Sequence, residues 1–203
     1  MISFITSNKK KAADFKDFGF GVKEFLVEVP EIKSPNVEEV SLYKAKDTNL
    51  NNIVVEDSSL YVESSHFWGT DIKHVYSELL SENKYDNHSA SWKICLCLKK
   101  DENYYLSVGE TKGKIKYPFT ETGYHFERFF AVEKNNKYIY YSQLSSNEQK
   151  ELSPRFKALT KLKKAIDEND FSSLIKIPVA TVKDWTGDYQ IEGKSVKRVN
   201  KLN

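Results

Sequence analysis

With 203 residues, 39% of them hydrophobic and 13% aromatic, the chain can bury a sizeable core in one large domain or one domain plus an appendage. A charged fraction of 30%, a mean hydropathy of -0.59 and the lack of any apolar run of membrane length exclude a helical membrane span. A net charge of only +2 gives no case for direct nucleic-acid binding.

Ile2–Thr6 reads as a strand. Asn8–Phe18 places Ala12, Phe15 and Phe18 at helical spacing, with Gly19 as a C-cap. Val22–Val29 reads as a second strand, ended by Pro30. Ser34 or Asn36 can start a helix whose apolar face is Val37, Val40, Leu42 and Ala45. Asn52–Val55 is a third strand leading into Glu56 and Asp57, with Tyr61–Val62 a short strand beyond them. Thr70 caps a helix carrying Ile72, Val75, Tyr76, Leu79 and Leu80.

The middle of the chain reads as β-rich. Ser91–Leu98 alternates Trp92, Ile94, Leu96 and Leu98 on one face. Tyr104–Val108 and Lys112–Lys116 read as antiparallel neighbours, followed by Phe129–Val132 and Tyr138–Tyr140. Ser146 with Gln149 forms a capping box for a short helix, and Pro154–Ile166 is a longer one. Beyond Asp167 the pattern changes to short strands at Ile175–Val182, Tyr189–Ile191 and Lys194–Val199 around a Thr186-Gly187 turn. The expected organisation is therefore a domain over 1–167 and a β-rich extension over 168–203, docked on the core or on a partner subunit.

Cys95 and Cys97 lie two apart in a strand, share a face and are poorly placed to bridge each other. They read as reduced thiols, in keeping with a cytoplasmic protein. The four histidines show no metal-ligand spacing.

Three constellations carry chemistry. Thr6-Ser7-Asn8-Lys9 joins a strand to a lysine-rich helix, a turn that offers backbone N–H groups and cations to phosphates. Glu31, Glu56 and Asp57 sit at the ends of apolar strands, where carboxylates can hold a hard divalent cation and activate water. Tyr124-His125-Phe126-Glu127 and Ser153-Pro154-Arg155 offer rings for stacking and a rigid donor fork. Lysine supplies nearly all basic residues, with arginine only at Arg128, Arg155 and Arg198.

The order of these motifs resembles the inosine triphosphate pyrophosphatase family. Thr6-Ser7-Asn8-Lys9-Lys10 is similar to its T-G-N-x-K-K opening, and Val55-Glu56-Asp57-Ser58-Ser59-Leu60 to its V-E-D-T/S-x-L segment. Val29-Pro30-Glu31 and Glu39 to Lys44 resemble L-P-E and E-x-x-x-x-K. Gly113-Lys114-Ile115 resembles a G-x-I strand, and Lys150 with Ser153 to Leu159 resembles E-K-x-x-x-S-H-R-x-x-A-L. Departures cluster at the base end. The F-G-[WY]-D-P motif becomes Tyr124-His125-Phe126-Glu127-Arg128, and Pro154 stands where the family has histidine.

The resemblance implies an elongated two-lobed α/β fold, with a central bent mixed β-sheet, flanking helices and a cleft between the lobes. It implies a Mg²⁺-dependent homodimer that cleaves non-standard purine nucleoside triphosphates such as ITP, XTP and dITP to monophosphate and pyrophosphate. Asp57 and Glu56 would be catalytic, and Glu31 with Asp57 would hold the metal. Thr6, Ser7, Asn8, Lys9, Lys44 and Lys73 would bind phosphates. Tyr124, Phe126, Glu127, Lys150, Ser153 and Arg155 would bind base and sugar, with selectivity altered by Glu127 and Pro154. The alternative is an inactive nucleotide-binding or protein-interaction module built on the same fold.

Overall fold

Paired aromatic rings set the start of the fold. The computed structural model describes residues 2–6, 8–22, 29–81, 83–123, 125–191 and 194–196. Strand β1 (Ser3–Phe4) leads into helix α1 (Lys9–Asp17), and Phe4 stacks on Phe15. Strand β2 (Gly21–Val22) follows, and the rest of the expected second strand falls mostly outside the described residues.

Strand β3 (Glu31–Ile32) precedes helix α2 (Val37–Asp47). Of the two candidate caps, Asn36 takes the position: its Oδ1 accepts the N–H of Glu38 at 2.8 Å and of Glu39 at 3.4 Å. Ser34 braces it, accepting the Asn36 N–H and donating to Glu39. Val37, Val40, Leu42 and Ala45 are buried as the spacing predicts, and Ser41 joins them by donating its hydroxyl to the Cys95 carbonyl at 3.0 Å.

The remaining elements are β4 (Ile53–Val62), α3 (Ile72–Ser81), β5 (Ser89–Lys100), β6 (Asn103–Ile115), β7 (Phe130–Lys134) and β8 (Lys137–Tyr140). They continue with α4 (Ser146–Leu152), α5 (Pro154–Glu168), β9 (Ile175–Pro178), β10 (Tyr189–Ile191) and β11 (Lys194–Val196). Among the described residues the main sheet runs β2-β1-β4-β5-β6-β7-β8, with β9 also on β6; β11-β10-β3 form a second sheet. Strand β1 is parallel to β2 and β4, whereas β6, β7 and β8 pair antiparallel, so the sheet is mixed as expected.

Several boundaries differ from the sequence reading. Glu56 and Asp57 lie within β4 rather than at a strand end, because β4 continues through Ser58 and Ser59 to Val62. The two strands expected over 104–116 are one, β6. Its polar centre is tolerated because the buried Thr111 hydroxyl donates to the Leu152 carbonyl and the Ser107 hydroxyl to that of Ala158. The capping box of α4 uses Ser145 and Glu148, one residue earlier than expected. Beyond α5, β9 pairs with β6 and β10 with β3, so the Thr186-Gly187 turn does not join two mutually paired strands. Gly113 is fixed by packing: a Cβ there would stand 2.2 Å from the Ala131 carbonyl oxygen on β7.

The chain forms two compact units. The first comprises Met1–Asp57, Cys95–Val108 and Ala158–Asn203; the second comprises Ser58–Ile94 and Gly109–Lys157. In the first, Val37, Leu42 and Ala45 of α2 share a core with Ile53, Val55, Cys95, Cys97, Tyr104 and Leu106, and Ile177, Val179 and Val182 pack against it. Both thiols are buried and free, and burial pushes them above their ordinary range. In the second, the Trp92 ring touches Phe126, Phe130 and Tyr141 edge-on. No helix among the described residues is long and apolar enough to cross a membrane.

The cap geometry yields a test of α2. Asn36→Ala is expected to cost about 1 kcal/mol and Asn36→Gly only a few tenths, because glycine also tolerates the cap backbone. Urea unfolding midpoints measure both; an unchanged midpoint in Asn36→Ala would show that the cap hydrogen bonds do not hold α2.

Candidate functional site

In the first unit, β1 and β4 run parallel with Phe4 opposite Val54. The turn after β1 therefore lies beside the acidic stretch of β4. In that turn the Thr6 hydroxyl oxygen accepts the Asn8 N–H at 3.0 Å. Asn8 then caps α1 by accepting the Lys11 N–H at 3.2 Å. Ser7 lies outside the described residues, and so does the Lys9 side chain.

One turn into α1, Lys11 meets the fully buried Glu56 carboxylate at 3.1 Å. The helix spacing brings this about: Lys11 stands three residues after the cap, on the face turned to the strands. Sequence reasoning weighed Lys9 and Lys10 and missed Lys11. The available signal was that Ala12 and Phe15 fix the inward face of α1, which leaves Lys11 at its edge.

Next to it, Glu31 and Asp57 converge on one cation. Lys44 Nζ lies 2.8 Å from Glu31 Oε1 and 3.1 Å from Asp57 Oδ1, and donates to the Glu56 carbonyl at 3.3 Å. An ammonium has three donors, and these acceptors match that number. Lys44 and Asp57 are mostly buried and Glu31 is partly buried. Burial disfavours every charge here, but the two carboxylates outweigh it at Lys44 and raise its pKa well above the ordinary lysine range. The Asp57 carboxyl is also raised. Burial is the main cause and the Glu31 charge adds to it, while Lys44 and Lys11 pull the other way. Asp57 is thus a carboxylate moved toward neutral pH, as a base requires.

In the second unit, Phe126 lies against Trp92 with ring centroids 4.9 Å apart, on a one-turn helix, His125–Arg128. Tyr141, also on Trp92, bonds to Gln149 of α4 at both ends of its contact: its hydroxyl donates to the Gln149 carbonyl, and its carbonyl accepts Gln149 Nε2. Trp92 thereby ties the helix of Phe126 and Glu127 to the helix of Lys150. The sequence reading placed Trp92 only on one face of its alternating strand. Lys150 Nζ lies over the Phe156 ring at 5.2 Å. Ser153 caps α5, accepting the Phe156 N–H at 3.3 Å, and Pro154 fills the first helical position. Arg155 is on the first turn of α5, and Lys73 is exposed on the first turn of α3. Arg128 is structural, donating to the Thr120 carbonyl at 2.7 Å. Tyr124 lies outside the described residues.

Among the described residues no group of three or more His, Cys, Asp or Glu side chains could hold a metal ion. Glu31 and Asp57 supply the one or two carboxylates that Mg²⁺ often takes, and the point on which they converge is held by Lys44 Nζ.

Comparison with known proteins identifies the family. The Ham1 family model matches residues 2–165. The chain is 29% identical over 183 residues to the inosine triphosphate pyrophosphatase of Aspergillus fumigatus, covering 82% of this chain and 95% of that one. It is 28% identical over 195 residues to the dITP/XTP pyrophosphatase of Caldanaerobacter subterraneus, covering 81% of this chain and 96% of the relative. The Staphylococcus aureus Ham1 protein superposes with a TM-score of 0.66 at 20% identity, over 83% of this chain and all of that one. A Coxiella burnetii HAM1 protein gives 0.60 at 18% identity. The fold is therefore that of the Ham1 proteins. With most of its length matched by the family model, the chain belongs to the Ham1 family.

The buried Lys11–Glu56 pair gives a stability test. Lys11→Met leaves a buried carboxylate without this partner and is expected to cost about 3 kcal/mol. Urea unfolding measures it; an unchanged midpoint would mean Glu56 does not depend on Lys11.

Proposed function

We propose that the chain is a nucleoside triphosphate pyrophosphohydrolase that converts non-standard purine triphosphates such as ITP, XTP and dITP to monophosphate and pyrophosphate. The observation that carries this reading is the convergence of Glu31 and Asp57 on Lys44 beside the α1 turn. The names of the two relatives support the same substrate class. A homodimer is carried over from the family resemblance, and a cytoplasmic location from the reduced thiols Cys95 and Cys97.

The residues divide the work as follows. Asp57 takes the proton of the attacking water, and its raised pKa suits that task. Glu31 and Asp57 would hold Mg²⁺, which when bound neutralises phosphate charge and polarises the bond to be broken. Glu56 is held by Lys11 and sets the position of Asp57 through the strand. Lys44 keeps the two carboxylates together. A phosphate oxygen reaches Lys44 only by replacing one of its present acceptors, so its part in binding is coupled to the carboxylates. Thr6, Ser7, Asn8 and Lys9 receive the phosphates in the first unit.

In the second unit, Phe126 and Tyr124 offer rings to the base, and Glu127, Lys150, Ser153 and Arg155 offer polar groups. Selectivity should depart from the usual family pattern. Glu127 is one methylene longer than aspartate, and Pro154 supplies neither a side-chain donor nor a backbone N–H. Ser153 already accepts the Phe156 N–H, which leaves its hydroxyl proton to donate.

Pyrophosphate release from ITP, XTP, dITP, dUTP and the standard triphosphates with Mg²⁺ tests the activity. Binding without release would instead favour the inactive nucleotide-binding module. Asp57→Asn is expected to lower turnover by roughly two orders of magnitude or more with the fold intact. Near-normal turnover would remove Asp57 from the mechanism.

The pH profile supplies a second test. Asp57 must be deprotonated before it can take up Mg²⁺, so its raised pKa in the metal-free protein places the acid limb of Mg²⁺ binding above the ordinary carboxylate range. Lys44 lowers that pKa, so Lys44→Gln is expected to move the acid limb to higher pH. A limb that stays in place would show that another group titrates.

A further inference from the structure

We propose that the carboxy-terminal segment from Val182 to Ile191, beyond the 2–165 family match, positions the Glu31–Lys44–Asp57 constellation. It rests on the reading above for its catalytic consequence, but its structural basis stands apart.

The two elements that carry Glu31 and Lys44 are both gripped by this segment. Strand β3 is short and stands outside the main sheet. Among the described residues its ladder partner is β10, with Gln190 opposite Glu31 and Tyr189 opposite Ile32. The Lys33 N–H extends the ladder by donating to the Asp188 carbonyl at 2.8 Å. The backbone that presents Glu31 is therefore held by the tail.

Helix α2 is held by the same segment from the residues flanking Lys44. Lys46 Nζ donates to the carbonyls of Val182 at 3.0 Å and Lys183 at 2.7 Å, and pairs with Asp184 at 3.0 Å. The Tyr43 hydroxyl donates to the Lys183 carbonyl at 3.1 Å, and its ring meets Trp185 edge-on at 5.2 Å. Trp185 then donates its indole N–H to the Asp188 carbonyl at 3.0 Å, directly before β10. Gly187 leaves room for that ring, since a Cβ there would lie 2.9 Å from it. Trp185 thus connects the grip on α2 to the grip on β3.

Lys44 joins Glu31 to Asp57 only if α2 and β3 keep their spacing. A displacement of about 1 Å at a reacting group can cost a hundredfold in rate. Trp185 is a positioning residue by this argument.

The test uses the full chain with Trp185→Ala, Trp185→Phe and Phe171→Ala. Phe171 lies on Tyr105 instead of α2 or β3, so its loss perturbs the tail without loosening this grip. Amide hydrogen exchange at residues 31–33 reads positioning directly, and pyrophosphate release from ITP reads its consequence. Trp185→Ala is expected to speed exchange at 31–33 and lower kcat by about ten- to a hundredfold with little change in KM. Trp185→Phe keeps a ring on Tyr43 and should restore most of the rate, and Phe171→Ala should change neither readout. If Trp185→Ala does not fold, Lys46→Met releases α2 from the surface and should give the same signature.

Unchanged exchange at 31–33 in both Trp185→Ala and Lys46→Met overturns the proposal, as does an equal loss in Phe171→Ala. A wild-type protein that releases no pyrophosphate refutes the hydrolase reading while the exchange measurement still decides positioning.

Discussion

The site depends on one mostly buried ammonium held between two partly buried carboxylates. Taking these charges out of water is unfavourable for each of them. The arrangement persists because Lys44 finds Glu31, Asp57 and the Glu56 carbonyl at hydrogen-bond distance. Attraction is strong where water is scarce, but it offsets desolvation only when geometry is good. Hence the position of every element around Lys44 matters more than its own contribution to stability. The two carboxylates and one ammonium also leave one net negative charge, which suits a hard cation better than a bare polyanion.

That demand on geometry explains much of the surrounding structure. Parallel pairing of β1 with β4 sets the α1 turn beside Glu56 and Asp57. The Asn36 cap fixes where α2 begins, and so which face Lys44 occupies. The Ser41 bond to the Cys95 carbonyl pins the middle of that helix onto β5. None of these contacts touches a substrate. Together they decide whether three side chains from three elements can meet.

The parts of the fold that were legible in the sequence are those with a short-range physical signature. Apolar spacing located α2 and α5, and the strand-turn-helix at the start stood out by composition. What escaped were outcomes set by distant partners. Ser58 and Ser59 fall in the gap expected between the strands at 52–55 and 61–62, yet β4 continues because Trp92 Nε1 donates to Ser58 and the Ser59 hydroxyl reaches the Lys93 carbonyl. The split expected in β6 disappears because Ser107 and Thr111 bond to α5 and to the end of α4. Capping at Ser145 instead of Ser146 turned on a reciprocal bond with Glu148 that two adjacent serines cannot distinguish by type. For the site, Glu31 and Asp57 were paired from the sequence, but their meeting at Lys44 was not visible, nor was Lys11.

The departures from the family pattern take on a physical meaning in the second unit. Pro154 occupies the first position of α5, where a missing N–H costs nothing and a fixed φ favours the helix. Ser153 gives its oxygen to the same helix start. Phe126 is committed on one side to Trp92, which also packs on Phe130 and Tyr141. Residues that elsewhere in the family align with base recognition therefore bear structural duties here. A group already satisfied by its own fold gives up less when a substrate lacks the matching partner, so its power to discriminate falls. On the proposed reading, these contacts are the physical reason to expect looser selection at the base.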